Sequence, residues 1–158
     1  MRFQFNKIIY KLSKEDKKKV VKTLNEQFGI QEIDGELIKI GNERIRLFTG
    51  ELTEKEYEAI IETIRLEGIG LAIIKEEKEE FRITIEATQI FGEQATKSVY
   101  QLNDEDLSLW MHGEDLQKHN EKKGFVIVKH NEDFLGMGKI GAEKVSNYIP
   151  KERRLKHR

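Results

Sequence analysis

The hydrophobic positions in the first half of the chain alternate between helical spacing and short strand-like runs. After Ser13, a residue type that caps helix N-termini, apolar residues recur at helical intervals and predict a helix over residues 14–27. Its apolar positions are Val20, Val21, Leu24 and Phe28. Two short runs, residues 37–40 and 45–48, follow on either side of Gly41 and predict a β-hairpin.

A second helix is indicated by its capping residues. Thr53 and Glu56 have the spacing of a capping box, in which each side chain accepts a hydrogen bond from the other residue's backbone N–H. Apolar residues then follow at helical spacing: Tyr57, Ile60, Ile61 and Ile64. Gly68 is the predicted C-terminal cap. Beyond it, the runs at residues 71–75 and 81–85 predict another pair of strands around the charged segment EEKEE.

From about residue 85 the pattern changes to short apolar runs separated by Gly, Asn and Asp. The runs are SVYQL, FVIVKH, DFLGMGKI and KVSNYI. One short helix is predicted over residues 104–111, after Asn103, with Trp110 on its apolar side. Several short strands with a single helix are typical of a small β-barrel. The pattern therefore predicts an α+β chain with two domains, residues 1–80 and residues 81–158.

The composition of the chain excludes several classes of site and function. The chain has 158 residues, of which 37% are hydrophobic and 36% charged, with a net charge of −1. It has no cysteine, which excludes disulfides, cysteine zinc sites and thiol catalysis. No segment looks like a signal peptide or approaches the roughly 18 apolar residues of a membrane span. We therefore expect a cytoplasmic protein without membrane contact.

Gly136-x-Gly138-x-x-Gly141 has the spacing of a dinucleotide-binding turn. Such a turn lies between a strand and a long helix, with another strand after the helix. Only 17 residues follow Gly141, and they contain no helix of useful length. We interpret the glycines as part of a strand that is bent or crowded by a neighbour, and we expect no cofactor.

The second half resembles a known domain. SVYQLNDEDLSLWMHGEDL and KKGFVIVKHNEDFLGMGKIGAEKVSNYIPKERRLK are similar to a PUA domain, the pseudouridine synthase and archaeosine transglycosylase module. In particular, they are similar to the form attached to Sun-type RNA cytosine-C5 methyltransferases. The resemblance covers residues 97–156, and the whole chain resembles small archaeal proteins with a pre-PUA domain before the PUA domain. It implies an RNA-binding pseudobarrel, contacted by RNA near the small helix and the glycine loops.

The resemblance also implies that this chain lacks the catalytic domain of the methyltransferases. Sun-type methyltransferases carry a catalytic domain with a cysteine nucleophile and an S-adenosylmethionine pocket. This chain has no cysteine and no room for that domain. We therefore expect a protein that is not an enzyme, although the residues leave open an acid–base pair among 29 carboxylates.

Basic residues cluster at two places. Residues 1–24 hold eight Lys and Arg against two acids, and residues 151–158 hold five against one. Phosphate neutralisation dominates non-specific nucleic-acid affinity, so such clusters are candidate contacts. The first is interpreted as a solvated helix surface, whereas the arginines of the second favour RNA. The predicted RNA-binding residues are Gly113, Lys118, His119, Gly136, Gly138, Lys139, Tyr148, Lys151, Arg153 and Arg154.

Other candidate residues are interpreted as structural. Trp110 is expected to pack in the core rather than stack on a base, and burial is also favoured for Tyr148. Glu114 and Asp115 would repel phosphate and are assigned to the turn or to accepting hydrogen bonds from a base. The four histidines lack metal-ligand spacing, so no metal site is expected.

The residues are compatible with three functions. The leading hypothesis is binding of structured RNA, tRNA or rRNA, in RNA modification or ribosome biogenesis without catalysis. The second is an adaptor for an RNA-modifying enzyme or assembly factor, with little RNA affinity of its own. The third, a small RNA-acting enzyme, has little support in the sequence.

Overall fold

Two five-stranded sheets form the framework of the computed structural model, which describes residues 9–63, 68–117 and 122–157. The first part contains β1 (Ile9–Lys11), α1 (Lys14–Phe28), β2 (Glu36–Ile40), β3 (Arg44–Phe48), α2 (Glu54–Thr63), β4 (Leu71–Glu77), β5 (Glu80–Ile83) and α3 (Ile85–Phe91). The second part contains β6 (Val99–Gln101), α4 (Asp104–Met111), β7 (Leu116–Gln117), β8 (Gly124–His130), β9 (Asp133–Ile140) and β10 (Lys144–Asn147). The predicted α+β class is confirmed.

The sheets differ in topology. The first has the order β1-β2-β3-β4-β5, with every neighbouring pair antiparallel. The second has the order β6-β8-β9-β10-β7 and is antiparallel except for the parallel β6–β8 pair. It curls into a half-barrel around α4.

The capping residues define the helices as predicted. Ser13 Oγ accepts a hydrogen bond from the Asp16 N–H at 3.1 Å, which starts α1. At α2, the Thr53 N–H donates to Glu56 Oε2 at 2.8 Å and the Glu56 N–H donates to Thr53 Oγ1 at 3.3 Å. The capping box is therefore confirmed, while Ile64 lies outside the described residues.

Three elements differ from the prediction: β5, α3 and β1. The strand expected over residues 81–85 ends at Ile83, because Thr84 caps a new helix by accepting a hydrogen bond from the Ala87 N–H at 3.1 Å. This helix, α3, makes the expectation of a single helix after residue 85 wrong. β1 was also not predicted, since it has only three residues. None of the described helices is long and apolar enough to cross a membrane.

The main hydrophobic core is shared by both sheets. Phe28 and Ile73, from the first part, belong to the same buried cluster as Ile127 and Met137, from β8 and β9. Helix α3 packs against both β4 and β9. A second cluster lies inside the half-barrel around Trp110. β5 extends past residue 80 and still belongs to the first sheet, and the main core contains residues from both parts. The division into residues 1–80 and 81–158 therefore stays a proposal.

Candidate nucleic-acid interface

Gly136 lies at a bulge in the middle of the second sheet. The register of β8 and β9 shifts between Ile127 and Lys129, where β9 carries an extra residue. Gly136 has φ +91°, a left-handed conformation that glycine adopts at low cost. Its N–H donates to the buried Thr88 Oγ1 at 3.2 Å, which joins the bulge to α3.

Gly138 lies against the only tryptophan of the chain. A Cβ at Gly138 would be 3.0 Å from Trp110 Cη2 and 3.1 Å from Val145 Cγ1. Trp110 is fully buried and its Nε1–H donates to the Leu135 carbonyl oxygen at 3.1 Å. The predicted packing of Trp110 is therefore confirmed.

These contacts explain the glycine motif. Both Gly136 and Gly138 are buried in β9, which has antiparallel neighbours on both sides. A dinucleotide turn instead needs a strand followed directly by a helix. The structural interpretation of the glycines is thus confirmed. RNA contact at Gly136 and Gly138 stays an untested prediction, and their burial argues against it.

The basic C-terminal segment docks onto the end of α4. The Leu155 N–H donates to the Met111 carbonyl oxygen at 2.9 Å. The Arg154 side chain covers Gly113 so closely that a Cβ there would overlap it. Arg154 Nε also donates to the Ile149 carbonyl oxygen at 2.9 Å. Arg154 therefore fixes the segment in place, and Gly113 forms the turn on which it lies.

We call a group of side chains at this docked segment the tail face. It consists of the exposed Lys151, Arg153, Lys156 and His157 of the segment and the half-buried His112 at the end of α4. The His112 and His157 rings stack with their centroids 4.4 Å apart. Arg153 pairs with Glu86 of α3 and keeps 56% of its side chain exposed. The side chains of Lys151 and Lys156 are exposed and have no hydrogen-bond or ion-pair partner among the described residues.

Asp115 holds the turn after α4 to β10. It accepts a hydrogen bond from the Asn147 N–H at 2.8 Å and pairs with Lys144 at 2.5 Å. The hydrogen bond from Lys144, followed by that from Asn147, lowers the pKa of Asp115 below its ordinary value of 3.8. Asp115 therefore stabilises the segment that follows the turn, while acceptance of a hydrogen bond from a base stays a prediction.

We expect Asp115→Asn to lower the free energy of unfolding at pH 7 by at most about 1 kcal/mol, because the side chain is partly exposed and solvent screens the pair. Since the folded pKa is depressed, the contribution is present above 3.8 and is lost as the pH falls through the folded pKa. Urea unfolding at pH 7 and at about pH 3 would measure this. Glu114→Gln is the control. An equal decrease in the free energy of unfolding at both pH values would contradict an effect of the Asp115 charge.

Lys139 and Tyr148 lie at the junction of the two sheets, apart from the tail face. Lys139 Nζ is 4.3 Å from the Phe125 ring centroid and 3.5 Å from Glu80 Oε2. The half-buried Tyr148 ring packs edge-on against Phe125, with Arg82 5.1 Å from its centroid. Of the remaining predicted residues, Lys118 and His119 lie outside the described residues.

Comparisons with known proteins agree with this architecture. Residues 97–155 match the model of the Methyltransferase RsmF PUA domain. The C-terminal part of the chain is a PUA domain. This confirms the resemblance to the PUA part of Sun-type methyltransferases. The tail face, apart from Lys156 and His157, lies within the matched range.

The relatives are longer proteins. The ribosomal RNA small subunit methyltransferase F of Aeromonas salmonicida is 31% identical over 90 residues, which are 56% of this chain and 19% of the relative. That of Vibrio vulnificus strain YJ016 is 22% identical over 142 residues, 90% of this chain and 29% of the relative. The chain therefore spans less than a third of the length of these relatives.

A solved structure shares the fold over nearly the whole chain. A hypothetical protein of the hyperthermophilic archaeon Pyrococcus horikoshii OT3 superposes with a TM-score of 0.53 and 14% sequence identity. The match covers 89% of this chain and 93% of that protein. A mixed α/β part followed by the PUA domain, as predicted, is thus the architecture of this chain.

Three of the five lysines of α1 have a partner, whereas Lys151 and Lys156 of the PUA tail have none among the described residues. Lys19 pairs with Asp16 at 2.9 Å and Lys22 with Glu26 at 3.8 Å. Lys17 Nζ donates to the Gly35 carbonyl oxygen at 2.6 Å. Pairing lowers the charge available to a ligand, which favours the interpretation of α1 as a solvated surface.

A second basic surface was not predicted from the sequence. Lys97, Lys122 and Lys123 line a groove between α1 and the start of β6 and β8 in the PUA domain. The adjacent Lys122 and Lys123 were the only sign of this surface in the sequence, because Lys97 lies 25 residues before Lys122.

Among the described residues there is no cluster of three or more His, Asp or Glu that could hold a metal.

Proposed function

We propose that this chain binds structured RNA, either tRNA or rRNA, through the tail face of its PUA domain. The observation that carries the proposal is the docked basic segment within a domain matched to rRNA methyltransferases. Lys151, Lys156 and Arg153 would contact phosphates, and the stacked His112 and His157 rings offer a surface for a base. Arg154 would position the segment rather than contact RNA.

The proposed role is in RNA modification or ribosome biogenesis, without catalysis by the chain itself. The names of its relatives support modification of ribosomal RNA. The absence of cysteine supports a non-enzymatic role, because the resemblance implies a cysteine nucleophile. An RNA-modifying enzyme or an assembly factor is then the proposed protein partner, in the cytoplasm.

Lys151→Ala combined with Lys156→Ala tests the proposal. Each lost phosphate contact flattens the log–log salt dependence of binding by about 0.7 to 0.9. We therefore expect a slope smaller by about 1.4 to 1.8, measured by fluorescence anisotropy with labelled tRNA and an rRNA fragment. Lys18→Ala with Lys55→Ala removes the same charge from exposed helix positions and is the control.

Two results would contradict this proposal. Equal salt-dependence slopes for the tail and control variants would show that RNA does not contact the tail face. Folded protein that retains no RNA at low salt would instead favour the adaptor. The exposure of Leu109 (42%) and Leu155 (54%), on α4 and the tail, is the observation that supports this second function. A partner that stays bound after RNase treatment would then be expected.

A further inference from the structure

A groove of about 560 Å³ lies where α1 and β5 meet the second sheet. We call it the junction groove. Its walls include Gln27, Lys97, Val99, Lys122, Lys123 and Ile140. It is therefore built from segments of both parts of the chain, and it shares no residue with the tail face.

The junction groove has free positive charge. Lys122 and Lys123 are exposed, and their side chains have no hydrogen-bond or ion-pair partner in the parts of the chain that are described. Lys97 makes one long contact, 3.5 Å from Nζ to the Asn25 carbonyl oxygen. The groove's two carboxylates, in contrast, are paired: Glu26 with Lys22 at 3.8 Å and Glu80 with Lys139 at 3.5 Å.

The wall that carries Lys97 is fixed in position. The Lys97 N–H donates to the Phe28 carbonyl oxygen at 3.1 Å, and Ser98 Oγ donates to the Gln27 carbonyl oxygen at 2.9 Å. The Ile127 N–H donates to the Ser98 carbonyl oxygen at 2.8 Å. Lys97 therefore extends from a backbone that is bonded to both α1 and β8, and little ordering is needed when a ligand binds.

We propose that the junction groove binds the sugar–phosphate backbone of an RNA strand through Lys97, Lys122 and Lys123. Lysine recognises phosphate as a point charge, so the groove would hold RNA without selecting its sequence. Val99, 39% exposed, gives the strand an apolar surface to pack on. The inference rests on the proposed RNA-binding function and adds a second contact to the tail face.

Lys122→Ala with Lys123→Ala is the test variant. Loss of two contacts to a single strand flattens the salt slope by about 1.4, which corresponds to up to about 25-fold weaker binding at 0.1 M salt. Anisotropy would be measured with a labelled rRNA fragment that carries a single-stranded extension. Lys122→Arg with Lys123→Arg should retain binding, and Lys18→Ala with Lys55→Ala controls for net charge.

The outcomes separate this inference from the proposed function. A flattened slope for the groove variant, with near-normal slopes for the arginine and control variants, supports the groove. If only the Lys151→Ala, Lys156→Ala variant loses affinity, the groove inference is overturned while RNA binding at the tail face stands. If the wild type binds no RNA at low salt, the proposed function fails and the groove inference fails with it. Binding of an acidic peptide, but not RNA, to the groove lysines would also overturn it.

Discussion

Trp110→Ala is expected to lower the free energy of unfolding by about 4 kcal/mol. The ring is fully buried at the centre of the half-barrel, where Gly138 leaves no space between the strand and the indole. Truncation therefore leaves a cavity and also leaves the Leu135 carbonyl oxygen without the indole N–H. Because typical domains are stable by only about 5 to 15 kcal/mol, much of the stability would be lost. Urea unfolding, monitored by far-UV circular dichroism, measures this change in the free energy of unfolding.

The neighbouring Leu109 provides the matched control. It lies on the same helix with 42% of its surface exposed, so Leu109→Ala should cost less than about 1 kcal/mol. Trp110→Phe should give an intermediate loss, because it keeps an aromatic ring but removes the indole N–H. A similar cost for Trp110→Ala and Leu109→Ala would show that the indole is not the centre of this core.

Ile127→Ala is expected to lower the free energy of unfolding by about 2 to 5 kcal/mol and to destabilise both parts of the chain together. Ile127 is fully buried in the cluster that also contains Phe28 and Ile73 of the first part. A cavity there weakens packing on both sheets, so the chain should still unfold in one transition. Trp110 fluorescence reports on the half-barrel and far-UV circular dichroism on the whole chain, and the two curves should coincide.

Ile90→Ala makes the same chemical change at a site that is 49% exposed on α3, and should cost less than about 1 kcal/mol. Two separate transitions, with only the fluorescence curve shifted by Ile127→Ala, would contradict a shared core. They would instead support independent domains at residues 1–80 and 81–158.

Local signals in the sequence account for most of the helices. Ser13, Thr53 and Asn103 each cap a helix within a few residues, so their effect does not depend on distant parts of the chain. Helix α4 was predicted with its observed bounds. Helix α3 was missed because IEATQIF is rich in β-branched residues. Its packing against β4 and β9, which no local pattern shows, overrides that preference.

The candidate interface depended more strongly on the tertiary structure. Charge alone indicated the C-terminal segment, but the roles within it differ: Arg154 covers Gly113, while the Lys151 side chain has no partner in the described parts of the chain. The glycine spacing was correctly assigned to a strand, yet the partners of Gly136 and Gly138 come from α3 and α4. The predicted set is therefore split between the tail face, the sheet junction and the buried strand.

The α+β class, the starts of α1, α2 and α4, the basic tail and the resemblance to a PUA domain could all be read from the sequence, because they depend on neighbouring residues or on their order. The pairing of Lys19 and Lys22 with carboxylates on their own helix follows from local spacing, whereas the position of Lys97 and Lys122 along one groove follows from the fold. Whether a charge is available to a ligand also depends on the neighbours that folding brings to it, as for Arg153, whose partner Glu86 lies 67 residues away in the chain.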